Sequence, residues 1–340
     1  MIRNNINIIL LSAIIILGII LFVLNLFLGS VVIPFKEIFS VILNPESNDT
    51  ISTILFNYRL PQAVTALLAG AALSVAGLLM QTLFKNPLAD PSMLGISSGA
   101  SLGVAVIILF SGIFGGSALS NFGFWSNIGV SLAAFLGATL VLMLILGFSS
   151  RVKNMTTLII IGLMVSYLAG SLTDIMKFFS MKEDVHAFVI WGMGSFSAVG
   201  TNKLTFFSIA IILGLLSTLF LPKILNMLLL GNVYAENLGI NIKRNNLIII
   251  LISGYLTAIV TAYCGPIAFM GLAIPHLTRF IFRTSDHRIL IPSVIVIGMV
   301  VSLFCNLIAR VPCFEGNLPI NAVTAFIGAP VVIWVILRKR

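Results

Sequence analysis

Charge is what this sequence has least of. Only 9% of its 340 residues are Asp, Glu, Lys or Arg, where a soluble domain carries about 25%. With 59% hydrophobic residues and a mean hydropathy of +1.16, a water-soluble fold is excluded. The three cysteines, Cys264, Cys305 and Cys313, have no C-x-x-C spacing, so neither a disulfide framework nor a zinc site is indicated. No dense basic run with interleaved aromatics stands out; the longest basic run is the short tail Arg338-Lys339-Arg340. That argues against nucleic acid as a partner. No Gly-Lys pair occurs anywhere, so there is no G-x-x-x-x-G-K-[ST] phosphate loop. The chain cannot hydrolyse ATP through such a loop.

What is present is a series of long apolar runs. Runs of about 20 residues can cross a bilayer as helices. They do not alternate as the strands of a membrane barrel would. The fold class expected is all-α: a polytopic membrane protein, with one membrane domain over 1–340. Ten spans can be drawn, at about 6–29, 60–83, 92–111, 126–148, 155–178, 204–222, 246–263, 268–282, 290–309 and 319–337. The eighth is short and polar at its end, as a half-helix would be. The first run is too long for a signal-peptide core and lacks a small-residue cleavage site, so it is read as a retained helix.

Ten spans put both termini on one side. If that side is the cytoplasm, 13 of the 19 Lys and Arg lie inside, as the positive-inside rule asks. No carboxylate falls in the middle of a drawn span. Asp174 and Lys177 come closest, and their i, i+3 spacing reads as a local ion pair. A proton-driven carrier normally buries a carboxylate or histidine near the bilayer centre.

The second span bears a small-residue stripe, Gly70, Ser74 and Gly77, in "LLAGAALSVAGLLMQ" ending at Gln81. Small residues let helix backbones approach in lipid. Then comes "KNPLADP", residues 85–91. Pro87 and Pro91 stop the helix, and Asn86 and Asp90 can bond the freed backbone groups. Ser92 is a candidate cap for the next helix. "GISSGASLG", with Ser97 and Ser98, follows. Irregular backbone at membrane depth must pack on protein or line a wet path. These residues, Gly70 to Ser98, are therefore path-lining or hinge candidates.

"RLPQ…GAALSVAGLLMQTLFKNPLADPSMLGISSGASLG" resembles the permease subunits of bacterial ABC importers for ferric siderophores, haem and cobalamin. "GNVYAENLGINIKR" (231–244), "GPIAFMGLAIPHLTRFIFRTSDHRILIP" (265–292) and "LPINAVTAFIGAPVVIWVILRKR" (318–340) resemble that family's later signatures. They cover the chain from Arg59 onward, in order.

The resemblance implies a permease domain of ten helices in the bacterial inner (plasma) membrane, both termini cytoplasmic. It implies a second copy of the chain, two cytoplasmic ATP-binding subunits, and a periplasmic or lipid-anchored substrate-binding protein. No cofactor, metal or catalytic residue is implied, and ATP would be hydrolysed by the partner. Gly231, Asn232, Tyr234, Ala235, Glu236, Leu238 and Gly239 match the ATPase-coupling segment; an ordinary surface connector is the plain alternative. Arg59 and Arg310 match arginines that dock the binding protein's glutamates, a role that suits a planar bidentate fork; headgroup snorkelling is the alternative. A second basic residue expected near Arg59 is Gln62 here, leaving Lys36 or Lys203 as possible helpers. Asn321 stands where many members have glycine.

The histidines read as helix-end or loop partners: His276 in "IPHLTR", His287 in "SDHR" and His186 in "KEDVHAF". Trp191 reads as an interfacial anchor, and "WGMGSF" as a re-entrant turn. The breaks before "MLGIS" and "MGLAIP" hint at an inverted repeat. The function expected is import of an iron complex, with cobalamin as the alternative cargo. From another class, an ion-coupled secondary carrier acting alone remains open, as does a plain membrane scaffold. The missing mid-span carboxylates favour the importer.

Overall fold

The computed structural model describes residues 2–29, 34, 49–113, 118–152, 154–310 and 317–337. Lys36, Lys153, Cys313 and the tail Arg338 to Arg340 lie outside the described residues.

Every regular element among the described residues is helical. Helix α1 is Ile2–Phe27. A short α2, Asp49–Thr53, runs through a π-helical turn, Ile54–Arg59, into α3, Leu60–Leu83. A 3-10 turn at Pro91–Leu94 precedes α4, Ile96–Ile113. Then come α5, Ala118–Arg151, α6, Met155–Phe179, and a short α7, Lys182–Gly192. Helix α8 is Thr201–Thr218, followed by two short pieces, α9 at Pro222–Leu229 and α10 at Asn232–Asn237. The remainder is α11, Ile242–Cys264, α12, Met270–Phe282, α13, His287–Ala309, and α14, Ile320–Leu337.

Each of the ten drawn spans coincides with one of these helices, with shifted ends. Among the described residues seven helices are long and apolar enough to cross a membrane, and α4 and α14 hold shorter apolar stretches. The half-helix expected over 268–282 is α12, 13 residues long. It opens at Phe269, whose φ is +67°. The third span starts at Ile96 rather than residue 92, because Asp90, not Ser92, caps the turn before it. Asp90 accepts from the Ser92 N–H at 3.1 Å. Asx residues compete well for such orphan donors.

Helix α3 is the axis of the subunit, packed by α13, α11, α12 and α8. Its sequence is apolar all round, and such a helix is buried on every side. The small-residue stripe sets how closely the neighbours come. A Cβ on Gly70 would strike the Gly298 carbonyl, and one on Gly77 would strike Gly271 backbone. Backbone contact of this kind is how membrane helices gain dispersion energy without a hydrophobic driving force. Helices α4 and α5 meet in the same way through Gly99, Gly103 and Gly137.

Helix α1 lies along α13 in the same direction: Gly18 faces Val300, while Asn25 Nδ2 donates to the Leu303 carbonyl at 3.1 Å. Helix α14 likewise follows α12, from Asn321 beside Ala268 to Trp334 stacked edge-on against Phe280 at 4.8 Å. Consequently α1 begins and α14 ends at the same end of the bundle, as an even number of passes requires. That end also holds "KNPLADP" and is called the hinge end below. The other is the arginine end, after Arg59 and Arg310.

Candidate functional site

At the hinge end α3 stops at Leu83. Lys85 takes a left-handed φ of +49°, a conformation few non-glycine residues adopt. Asn86 Oδ1 accepts the Leu88 N–H at 3.0 Å, closing an Asx turn. Asp90 accepts from Ser92 twice, and burial raises its carboxyl above the usual range. Pro91 is buried, whereas Pro87 is exposed. The Pro87 carbonyl bonds His276 Nε2 at 2.7 Å. So the hinge is a fixed turn leaning on α12.

Two side chains at the end of α3 extend the attachment. Gln81 reaches across to α12. Its amide nitrogen donates to the Gly271 and Leu272 carbonyls at 3.3 and 3.2 Å, and its carbonyl accepts Arg279 Nη1 at 2.5 Å. Thr82 Oγ1 lies 2.9 Å from His287 Nε2, at the start of α13. His287 Nδ1 in turn meets Asn226 Oδ1, on α9, at 2.8 Å.

Beyond α9 lies the segment 231–239. Gly231 and Gly239 have φ of +114° and +83°, which a side chain would resist. They set α10 off as a separate piece. Ala235 is buried beneath it, while Asn232, Tyr234, Glu236 and Leu238 face outward. Val233, Tyr234 and Leu238 are 71%, 67% and 60% exposed, and Leu229 and Leu230 widen the patch. An apolar cluster on the polar end of a membrane bundle marks a protein contact. Lys85 Nζ donates to Asn232 Oδ1 at 3.1 Å, tying this piece to the hinge. A cleft of about 400 Å³ opens beside it, lined by Lys85, Asn154, Thr156, Asn232, Glu236 and Lys243 among others.

The arginine end is closed. Arg59 and Arg310 are 3% and 8% exposed. Arg59 Nη1 donates to the Leu26 and Phe27 carbonyls, both at 2.8 Å, and Arg310 Nη1 to the Asn25 carbonyl at 3.2 Å. These are the orphan acceptors at the end of α1, where the helix dipole also favours cations. A Cβ on Gly29 would sit 2.7 Å from Arg310 Nη2 and 3.4 Å from Arg59 Nη2, so the two like charges stand close. Burial, and then Arg59, push the Arg310 guanidinium down to about 10. The open docking arginines expected from the sequence are, in this subunit, a buried cap on α1. Gln62 is buried too. It donates to Asn306 at 3.0 Å, and Asn306 donates to Asn25 at 2.8 Å.

The other expected residues fall into two groups. Gly70, Ser74, Gly77 and Gln81 are buried between helices of one subunit, so close packing accounts for them and they offer no open face to a path. Ser97 and Ser98 are half-buried on α4, with Ser97 Oγ 3.5 Å from Thr261 Oγ1. Open faces lie on α1, α5, α6 and α8; on α6 the open face carries the polar residues Tyr167, Ser171 and Asp174. Asp174 pairs with Lys177 at 3.1 Å, the local ion pair expected. His186 is exposed on α7, and Trp191 packs on Phe188. The "WGMGSF" turn is pinned where Ser195 N–H meets the Cys264 carbonyl at 2.7 Å. Asn321 Oδ1 accepts the Ala268 N–H at 3.0 Å, which explains an amide where glycine was expected.

A family model, the FecCD transport family, matches residues 16–338. The chain belongs to that family. Among curated relatives of this FecCD chain, the vitamin B12 import system permease protein BtuC of Klebsiella pneumoniae is 35% identical over 84% of this chain and 83% of its own. The BtuC of Escherichia coli O9:H4 is 33% identical over 84% of each. A solved structure described as a metal-chelate type ABC transporter in an inward-facing conformation superposes with a TM-score of 0.84. It is 29% identical and covers 97% of this chain and 99% of that one. The permease family expected from the motifs is thus the family found, and the chain is a multi-pass membrane protein.

Sequence reading of this FecCD chain passed over Thr82, Asn226 and Arg279, and took His287 only as a helix-end partner. Signals for them exist. Thr82, beside Gln81, stands in the apolar stretch "LLMQTLF", and Asn226 is the lone polar residue of "ILNMLL". A polar group buried among apolar ones needs a partner.

Proposed function

We propose that this chain is the membrane subunit of an ATP-driven importer in the bacterial inner membrane. Two copies work with two cytoplasmic ATP-binding subunits and an external binding protein. The hinge end then faces the cytoplasm, and both termini with it. The observation that carries this reading is α10: a short helix set between two left-handed glycines, buried at Ala235 and apolar outward at Val233, Tyr234 and Leu238. A partner seated on it could move the attached helices as rigid bodies. Absence of a phosphate loop requires that partner to supply the ATPase site.

The exposed face of α6 is where a second copy, and the path between copies, would lie. The residues 1–340 form one permease domain in this reading. The cargo is a bulky metal chelate: a ferric siderophore, haem or cobalamin. The BtuC relatives bring cobalamin forward, and the solved metal-chelate transporter keeps the class broad. Docking of a binding protein at Arg59 and Arg310 would have to displace their bonds to α1. A self-sufficient ion-coupled carrier is less well supported, because no carboxylate is buried mid-span.

The test is Tyr234→Asp in the assembled complex. The substitution sits on an exposed patch, so the amount of membrane-inserted subunit should not change. Co-purified ATPase and uptake of labelled chelate should both fall by about tenfold, the effect of ~1.4 kcal/mol at a contact centre. Normal pairing would count against the coupling role of α10. Uptake by the chain alone under an ion gradient would overturn the importer reading.

A further inference from the structure

Three hydrogen-bonded side chains bridge α9, α13 and α3 at the hinge end, and none belongs to the coupling segment. Asn226 is the first. Its Nδ2 donates to Asp286 Oδ1 at 2.6 Å, which fixes the amide orientation. Its Oδ1 therefore faces His287, accepting the backbone N–H at 2.9 Å and meeting Nδ1 at 2.8 Å. An amide oxygen can only accept, so the ring hydrogen sits on Nδ1. His287 Nε2 is then left to accept the single Thr82 hydroxyl hydrogen, 2.9 Å away, which it shares with the Leu78 carbonyl, also at 2.9 Å. Both His287 and Thr82 are almost fully buried, at 1% and 3% exposure.

The position of this triad matters. Helix α9 is the element directly before α10, and it rests on α13 and α3. Leu225 and Leu228 give it a smooth apolar footing. Apolar contact alone resists sliding poorly, since it is non-directional. Hydrogen bonds fix register and angle. Asn226–His287–Thr82 is the directional bond set that ties the piece before α10 to the central helix. Asp286 caps α13 in the same cluster, so the start of that helix is held as well.

We infer that the Asn226–His287–Thr82 triad is a positioning joint that transmits displacement of the segment 222–239 to α3 and its hinge, so that it sets the cargo moved per ATP hydrolysed. The inference rests on the importer reading above. In that reading a partner moves α10; the triad is what prevents α9 from slipping over α3 when it does.

The experiment uses the complete complex, permease with its ATP-binding subunits and binding protein, reconstituted in vesicles. ATP hydrolysis and uptake of labelled chelate are measured together. Thr82→Val keeps the shape of the side chain and removes the hydroxyl. It should leave hydrolysis within about twofold and lower the uptake-to-hydrolysis ratio about fivefold, the worth of a lost buried hydrogen bond. Thr82→Ser should restore the ratio. His287→Phe should lower it at least as far. Combined with Thr82→Val it should be no worse than His287→Phe alone, because linked groups are non-additive.

An unchanged ratio in Thr82→Val and His287→Phe would overturn the joint. So would parallel loss of hydrolysis, uptake and assembled complex, which is what a purely structural bond would give. Failure of the importer reading looks different: the unaltered complex would show no ATP-dependent uptake at all.

Discussion

At the arginine end of α3, Gln62 belongs to a run of amides, Gln62 to Asn306 to Asn25, and Arg59 and Arg310 clamp the end of α1. At the hinge end, Gln81 and Thr82 grip two helices whose partners lead on to an exposed, partner-ready segment. Both ends are well bonded. Among the described residues the first network runs among α1, α3 and α13. The second is open-ended, running through α9 to α10. One end of the same helix is thus anchored and the other is linked to the exposed segment that a partner would move in the proposed importer. Glutamine serves both, because its amide offers donor and acceptor at once; what differs is where the partner chain goes next.

The largest effect should come from removing the hinge that separates the two behaviours. In Pro87→Ala/Pro91→Ala, α3 can run on past Leu83 and the turn leaning on His276 loosens. Proline removal costs about 0.4–1 kcal/mol per site where the native backbone suits proline. Together the two sites loosen the turn by about 1–2 kcal/mol, so uptake should fall while membrane insertion stays intact by protease mapping. Normal uptake would mean that the hinge end is as static as the arginine end.

A smaller effect on uptake is expected from Gln62→Leu, whose cost should fall on stability instead. The substitution leaves Asn306 Oδ1 without its donor inside the bundle. An orphaned buried acceptor costs about 1–3 kcal/mol. That should show as a lower melting temperature of the purified subunit. The uptake-to-hydrolysis ratio should hold, since the arginine-end network does not lead to α10. A changed ratio would erase the distinction between the ends.

How much of this was readable in advance follows the same division. The ten helices were legible, because an apolar run of membrane length has few other fates. The hinge was legible from its prolines and Asx residues, which act locally. Gly231 and Gly239 were legible as brackets for the same reason. The bonds of Arg59 and Arg310 to the end of α1 were not legible, since nothing near a charged residue in sequence shows which helix end folds over it. Gln81, Thr82 and His287 were unreadable as partners. Their contacts join residues about 200 positions apart, and one sequence holds no register for helices that meet only in space. Gly70 and Gly77 were read as a stripe, but the stripe faces α12 and α13, not a path. Small residues permit close packing and open passage alike, and only the neighbours decide.

The smallest effect is an acid response confined to one end. The arginine-end network holds amides and guanidiniums, none of which titrates near a carboxylate's range. The hinge end holds Asp286, whose carboxyl is kept below its usual range, first by the Arg288 N–H and then by Asn226. A depressed folded value means stabilisation that is present above the ordinary carboxylate pKa and lost as pH falls through the folded one. Asp90 has the opposite sign, raised by burial, so protonation relieves it rather than costing stability. Acid should therefore loosen the start of α13 and α9 while the hinge turn stays closed. Hydrogen-exchange protection, referenced to the intrinsic rate at each pH, should fall for amides around 286–290 and 224–228 as pH drops through and below the ordinary Asp value of about 3.9. Exchange near 303–308, beside Asn25, should not follow, and Asp286→Asn should flatten the response. Equal loosening at both ends would show that α3 is held by one continuous packing rather than by two unlike sets of bonds.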